Sequence, residues 1–312
     1  MTALICGSFA YDTIMVFPER FRDHVLPEKV HMLNVAFLVP ELRREFGGCA
    51  GNIAYNLQLL GGHGVPMGTV GHDFAPYARW LAEQQIDTRY VRTIEDAFTA
   101  QAYITTDIDD NQITAFHPGA MNFAHLNEVP REGIARGVIA PDGREGMLAH
   151  ARQFAEAGIP FLFDPGQGLP MFDGEALRQL VQQSSWLALN EYEAAVMQER
   201  TGWSLERLAG EVEALVITHG GKGSQILAGG ARHEIPPVPP VRVADPTGCG
   251  DAYRAGLLFG LEQGYDWPTT GRLASLLGSL KVAVHGTQNH RFTFAEIDRR
   301  YRDAFGAALP AG

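Results

Sequence analysis

The segment Asp245-Pro246-Thr247-Gly248-Cys249-Gly250-Asp251 carries the sharpest chemical signature in the sequence. Glycines on both sides of a small residue let consecutive backbone N–H groups point into one concavity, and such a nest at a helix N-terminus binds anions. The residues that follow, Ala252-Tyr253-Arg254-Ala255-Gly256-Leu257-Leu258, begin an apolar helical pattern. Asp251 then stands where a bound phosphate would lie. As a helix cap it would contribute about 1 kcal/mol. As a base it would accept the proton of a hydroxyl attacking that phosphate. A plain cap does not need Gly-x-Gly in front of it, so the spacing favours the base. A Cys249 thiol at that terminus could have a lowered pKa and react with thiol reagents, or could be a buried, inert small residue.

Three further clusters could join this chemistry. Ile217-Thr218-His219-Gly220-Gly221-Lys222-Gly223-Ser224 follows an apolar run. It could bring backbone against a nucleotide or simply turn a hairpin into Gln225–Ala228. It lacks the GxxxxGK[ST] spacing of a P-loop. Asn190 and Glu193 open a helix just past the run Trp186–Leu189. The pair reads as a capping box, or as an Asn and a carboxylate holding Mg²⁺ through waters. Ligands of open α/β sheets bind at the C-terminal strand edge, which favours the second reading. Gly47-Gly48-Cys49-Ala50-Gly51-Asn52 feeds a helix marked by Ile53, Ala54, Leu57 and Leu60.

Stepping outward, Leu4–Cys6 reads as a buried strand, with Asp12 in a loop that opens beyond it. Residues 13–46 form an excursion with a strand-like run at Asn34–Val39. Ala97–Thr105 and Gln112–Phe116 read as a hairpin around Asp109-Asp110-Asn111. From about residue 134, strands at Gly137–Ala140, Ile159–Phe163, Trp186–Leu189 and Ala214–Thr218 alternate with helices near 143–157, 174–184, 191–201 and 204–212. That alternation indicates a parallel sheet covered on both faces. Helices near 249–263, 269–284 and 294–306 close the chain.

The 312 residues suit one large α/β domain. A net charge of −11 without a Lys/Arg run argues against nucleic-acid or anionic-membrane partners. Three scattered cysteines, Cys6, Cys49 and Cys249, argue against a disulfide scaffold or zinc site and fit a reducing compartment. The apolar start lacks a signal peptide's pattern, and a cytoplasmic location is expected.

The glycine pair through Asn52 and the Asp245–Asp251 segment, in that order and about two hundred residues apart, identify a resemblance to the ribokinase-like carbohydrate kinases. The tract Gln112-Ile113-Thr114-Ala115-Phe116-His117-Pro118-Gly119-Ala120-Met121 resembles the bacterial adenosine and nucleoside kinase branch. The resemblance implies a single three-layer α/β domain over 1–312, with a mostly parallel central sheet and a small β-rich lid from about 13–46 and 97–117. It implies transfer of the γ-phosphate of ATP to the 5′-hydroxyl of a purine nucleoside: adenosine, inosine or guanosine. Asp251 matches the family's general base; Gly248, Cys249 and Gly250 match its anion hole, where Cys249 stands in place of the commoner alanine. Asp12, Gly48 and Asn52 match residues that hold sugar hydroxyls. Asn190 and Glu193 match the Asn-x-x-Glu motif for Mg²⁺ and phosphate; Thr218, Gly220, Gly221 and Gly223 match the nucleotide turn. ATP and Mg²⁺ are the expected cofactors, a monovalent cation such as K⁺ is a further candidate whose requirement the sequence leaves open, and a monomer or a homodimer through the lid is expected.

The lid's apolar residues bear on the acceptor. Phe98, Tyr103, Phe116 and Met121 in one segment, and Phe17, Phe21, Met32 and Phe37 in the other, could offer a base a stacking surface worth about 1–3 kcal/mol per base. Phe116 and Met121 are the expected contacts, with Gln101 and Gln112 as hydrogen-bonding candidates. Ser8 stands where many adenosine kinases have Asn, which points to breadth among nucleosides. The rival readings are a kinase of ribose or fructose 6-phosphate and, from another class, a catalytically silent nucleoside sensor.

Overall fold

Residue parity along the strands explains the layers. Ala3, Ile5, Val138, Ala140, Ala188, Ala214 and Val216 pack into one buried cluster; Leu4, Cys6, Ile139, Leu187, Leu189, Leu215 and Ile217 pack into another. Successive strand side chains point to opposite faces, so a strand apolar at every position must be covered on both. The computed structural model of the chain describes residues 2–24, 34–109 and 111–310. The strands are β1 (Thr2–Cys6), β2 (Ala10–Val16), β3 (Glu41–Gly47), β4 (Gly64–Gly71), β5 (Tyr90–Ile94), β6 (Ala100–Thr106) and β7 (Gln112–His117). They continue as β8 (Ile134–Ile139), β9 (Phe161–Phe163), β10 (Trp186–Asn190), β11 (Ala214–Thr218), β12 (Ser224–Ala228) and β13 (Ala231–Ile235). The helices are α1 (Phe21–His24), α2 (Cys49–Leu59), α3 (Ala75–Glu83), α4 (Arg144–Ala157), α5 (Gly174–Gln183), α6 (Glu191–Thr201), α7 (Leu205–Glu211), α8 (Cys249–Gln263), α9 (Trp267–Val282) and α10 (Phe294–Phe305).

The large sheet runs β13-β12-β11-β10-β9-β8-β1-β4-β5 and is parallel except for β12 and β13 at one edge. Helices α2, α3, α8, α9 and α10 cover one face, and α4 to α7 cover the other. The fold is therefore α/β, with a mostly parallel central sheet, as expected. A separate four-stranded sheet, β3-β2-β6-β7, forms the lid-like element.

Two expectations are corrected by the strand pairing. Asp12 lies inside β2, not in a loop, because the chain leaves β1 and at once pairs with β3 and β6. The run Asn34–Val39 forms no strand; the strand is Glu41–Gly47, whose register to β2 is fixed across all seven residues. The apolar residues Phe17, Phe21 and Phe37 pack on one another, with ring centroids 4.7–5.7 Å apart, as a small core of the lid itself. Met32 and part of the 13–46 segment fall outside the described residues.

Candidate active site

Pro246 and Gly248 bend the chain into α8. Gly248, at φ +78°, is the helix N-cap; a Cβ there would lie 3.0 Å from the Thr287 side chain. The Cys249 N–H closes the turn on the Pro246 carbonyl at 3.2 Å. The Gly250 and Asp251 N–H groups remain as orphan donors of the helix's first turn. A Cβ at Gly250 would meet nothing within 4 Å, so protein packing alone does not demand glycine there.

This turn borders a cleft of about 810 Å³ at the C-terminal edge of the large sheet. The cleft gathers ten of the residues singled out from sequence: Asn190, Glu193, Thr218, Gly220, Gly221, Gly223, Gly248, Cys249, Gly250 and Asp251. β10 ends at Asn190 and β11 at Thr218, adjacent parallel strands that deliver both groups to one edge. The capping-box reading of Asn190 and Glu193 is realised in the structure. Their capping box is complete, with the Glu193 carboxylate accepting from the Asn190 backbone at 2.8 Å and its side-chain amide at 2.7 Å. The same residues face the cleft.

Asp251 sits at the cleft's inner end. Its Oδ2 accepts from the Asn52 side-chain amide at 2.8 Å. Burial pushes its pKa up to about 6; the Asn52 hydrogen bond and the Arg254 charge oppose that rise, and Asp164 adds to it. A carboxylate titrating near neutrality is suited to take a proton. The Cys249 thiol departs from the reactive reading. Burial, with Asp245 and Asp251 nearby, pushes it up to about 11 despite the Lys281 charge. The helix N-terminus does not offset that desolvation.

The pattern of the pfkB family carbohydrate kinases matches residues 11–292. The chain belongs to that family. A nucleoside kinase of Burkholderia thailandensis, solved in complex with inosine, is 50% identical to this kinase, with a TM-score of 0.90 and coverage of 99% of this chain and 100% of that one. Its complex described as ADP-inosine gives 51% identity and a TM-score of 0.88, covering 100% of this chain and 98% of that one. A nucleoside kinase of Methanocaldococcus jannaschii is 32% identical over 276 residues, 88% of this kinase and 91% of the relative.

The remaining candidates of this pfkB-family kinase lie toward the small sheet. Gly48, at φ +89°, packs so tightly that a Cβ would lie 2.5 Å from the Ser8 carbonyl oxygen; its demand for glycine is met by backbone packing. Asp12 pairs across β6 with Ala102, and Ala102 across β7 with Phe116. Residues in register share a sheet face, so the Asp12 carboxylate, the small Ala102 and the exposed Phe116 ring form one row. Burial, Asp245 and Glu45 push Asp12 up to about 6. Gln101 belongs to the opposite face, where it donates to Asp73 at 3.2 Å and accepts from Tyr103 at 2.6 Å. It is withdrawn as a substrate contact. Met121 is half-buried in a 3₁₀ turn, Gly119–Leu126, beyond β7.

Sequence reasoning missed four residues of the site. Arg254 makes a buried two-point pair with Asp164, at 3.0 and 2.9 Å, directly behind the cleft. Gln288 donates to the Asn52 side-chain oxygen at 3.0 Å and accepts from the Trp80 indole at 2.9 Å. Arg254 stood three residues from Asp251 and was the one legible signal among them; the others are brought in only by tertiary packing.

Proposed function

We propose that this kinase phosphorylates the 5′-hydroxyl of a purine nucleoside with ATP as donor. The observation that carries this reading is the Asp12–Ala102–Phe116 row. Strands lie about 4.8 Å apart, so the backbones of Asp12 and Phe116, two strands apart, stand about 10 Å apart on this face with only the Ala102 methyl between their side chains. That span suits a ribosyl purine, with hydroxyls donating to Asp12 and the base against Phe116. A free sugar would leave the ring unused. The inosine-bound relative supports the same class of acceptor, and Ser8 in place of Asn fits breadth among purine nucleosides.

In the mechanism so inferred, the cleft between the Thr218–Gly223 turn and the Pro237–Val238 segment receives ATP. Asp251 accepts the proton of the 5′-hydroxyl while Asn52 holds the carboxylate's orientation. The Gly250 and Asp251 N–H groups receive oxygens of the phosphoryl group as charge builds on them. Met121 flanks the base end.

Mg²⁺, which the family implies, would supply charge neutralisation on the phosphates. Glu193 fits a water-mediated role: Asn190 occupies two of its acceptor positions, and the lone pairs that remain can accept from waters around a phosphate-bound ion. Asp164 is committed to Arg254. Among the described residues, no group of three or more His, Cys, Asp or Glu side chains is arranged to hold a metal ion directly.

The test is product analysis. Incubation with Mg-ATP and inosine, guanosine or adenosine should yield the nucleoside 5′-monophosphate with one ADP per product. ATP consumption without a phosphorylated nucleoside would overturn the proposal.

A further inference from the structure

Lys281 is fully buried, an unusual fate for a lysine. It lies in the last turn of α9, whose C-terminal carbonyls favour a cation. Its Nζ donates to the backbone carbonyl of Asp245 at 2.8 Å and to that of Val284 at 3.2 Å. Among the described residues no carboxylate oxygen is its hydrogen-bond partner; both Asp245 carboxylate oxygens are taken by backbone, Oδ1 by Thr247 N–H and Oδ2 by Gly286 N–H, each at 2.9 Å. The Asp245 and Ala244 N–H groups in turn bond the Val282 carbonyl at 3.1 and 2.8 Å.

These bonds make one closed structure. The ammonium pulls together two loops: 244–248, which leads into Gly248 and the first turn of α8, and 284–286, which follows α9. Its charge also reaches Cys249 and Asp245, and is felt from Asp251. Desolvating an ammonium is costly unless its donors and charge are answered, so a buried lysine held by carbonyls marks a place where the fold requires positive charge. Backbone carbonyls are the ligands that a hard monovalent cation would also take.

We infer that Lys281 is a positioning residue for phosphoryl transfer: a tethered cation that holds the Asp245–Asp251 loop in its anion-binding shape and makes a free monovalent cation unnecessary for turnover. Removing it would leave the Asp245 and Val284 carbonyls facing each other across a vacated polar site. The loop would relax, and the N–H groups of Gly250 and Asp251 would lose alignment. The damage should therefore fall on kcat more than on the KM of the acceptor, which the small sheet holds.

The inference rests on the kinase chemistry at Asp251, not on the identity of the acceptor. It is tested with whichever acceptor is turned over fastest, so a wrong acceptor and a wrong role for Lys281 give different results. The first measurement uses the unaltered protein: initial rates in a buffer of bulky organic cations, with KCl or NH₄Cl added from zero to 100 mM. The rate should change less than twofold. The second uses Lys281→Ala, with Lys281→Arg as the conservative variant. Lys281→Ala should lose about 10²-fold in kcat, a loss typical of mispositioned transition-state donors. NH₄⁺ or K⁺ should restore tenfold or more of it, which a purely packing role would not allow, and Lys281→Arg should retain more activity than Lys281→Ala. Activation of the unaltered protein tenfold or more by K⁺ would overturn the inference even if the variants do not fold. So would a folded Lys281→Ala with unchanged kcat, or one whose loss no cation relieves.

Discussion

Asn52 donates its side-chain amide to Asp251 Oδ2 at 2.8 Å, joining the first turns of α2 and α8 across 199 positions of sequence. The direction of this bond is enforced from behind. The Trp80 indole can only donate, so it fixes the Gln288 carbonyl; the Gln288 amide then donates to Asn52 Oδ1, leaving Asn52 Nδ2 for Asp251. Tyr77, buried beside them, shares the Gln288 amide and donates to the Gly47 carbonyl at 2.9 Å.

This relay sets the pH dependence. Burial pushes the Asp251 pKa up to about 6, and the base role proposed for it requires the ionised form, so kcat/KM should fall as pH drops through about 6. Asn52→Leu removes a hydrogen bond that favours the carboxylate, so the acid limb should move to higher pH. A profile measured from pH 4.5 to 9 in both proteins checks this; an unmoved or lowered limb would refute the relay.

Asp251→Asn should separate activity from stability. Turnover should fall about 10²–10⁴-fold, the usual cost of losing a general base. The native pKa is raised above the unfolded value of about 3.9, so the native state binds the proton more tightly. The stabilisation this gives is fully present below about pH 4 and is lost as pH rises through about 6. At pH 8 the variant should therefore melt above the unaltered protein, and at pH 4 that advantage should disappear. Thermal melts at the two pH values test the sign.

Asp164→Ala should be among the most damaging single changes. It strands the Arg254 guanidinium; the Arg254 and Asp164 side chains are 5% and 7% exposed, and breaking one side of such a buried pair costs about 3–5 kcal/mol. The double variant Asp164→Leu, Arg254→Met should recover part of that stability, because no charge is left buried. Chemical denaturation of the three proteins checks it; additive losses would argue against the pair as a unit.

Gly250→Ala offers a finer probe. The added methyl meets no protein atom within 4 Å and falls in the first turn of a helix, so stability should hold or rise by about 0.5–1 kcal/mol. The methyl would project toward the cleft, and turnover should drop at least tenfold. Unchanged turnover would mean that no phosphate approaches this turn.

The contrast between Asp251 and Gln101 shows what the sequence could reveal. The Asp251 turn is local: seven consecutive residues carry the glycines, the acid and the start of the helix, and the structure places them as read. The helices of the second half were also legible, because their apolar periodicity and Gly ends lie within single windows. The orientation of Gln101 is not legible in the sequence, because its face depends on the register of β6 against β2 and β7, and one residue of register reverses every side chain. Asp12 reads as a loop residue from sequence for a similar reason: β2 has no strong alternation of its own and is held by pairing with β3 and β6. The Arg254–Asp164 pair and the Trp80–Gln288–Asn52 relay span about 90 and 200 residues, respectively, beyond any motif.

Acceptor preference tests the nucleoside assignment most directly: kcat/KM for inosine, adenosine, guanosine, cytidine, ribose and fructose 6-phosphate at fixed Mg-ATP, repeated with Phe116→Ala. A purine nucleoside should exceed both sugars by at least tenfold, and Phe116→Ala should lower the nucleoside value by roughly 1–3 kcal/mol of stacking while leaving the sugars nearly unchanged. If ribose or fructose 6-phosphate exceeds every purine nucleoside, the nucleoside assignment is contradicted.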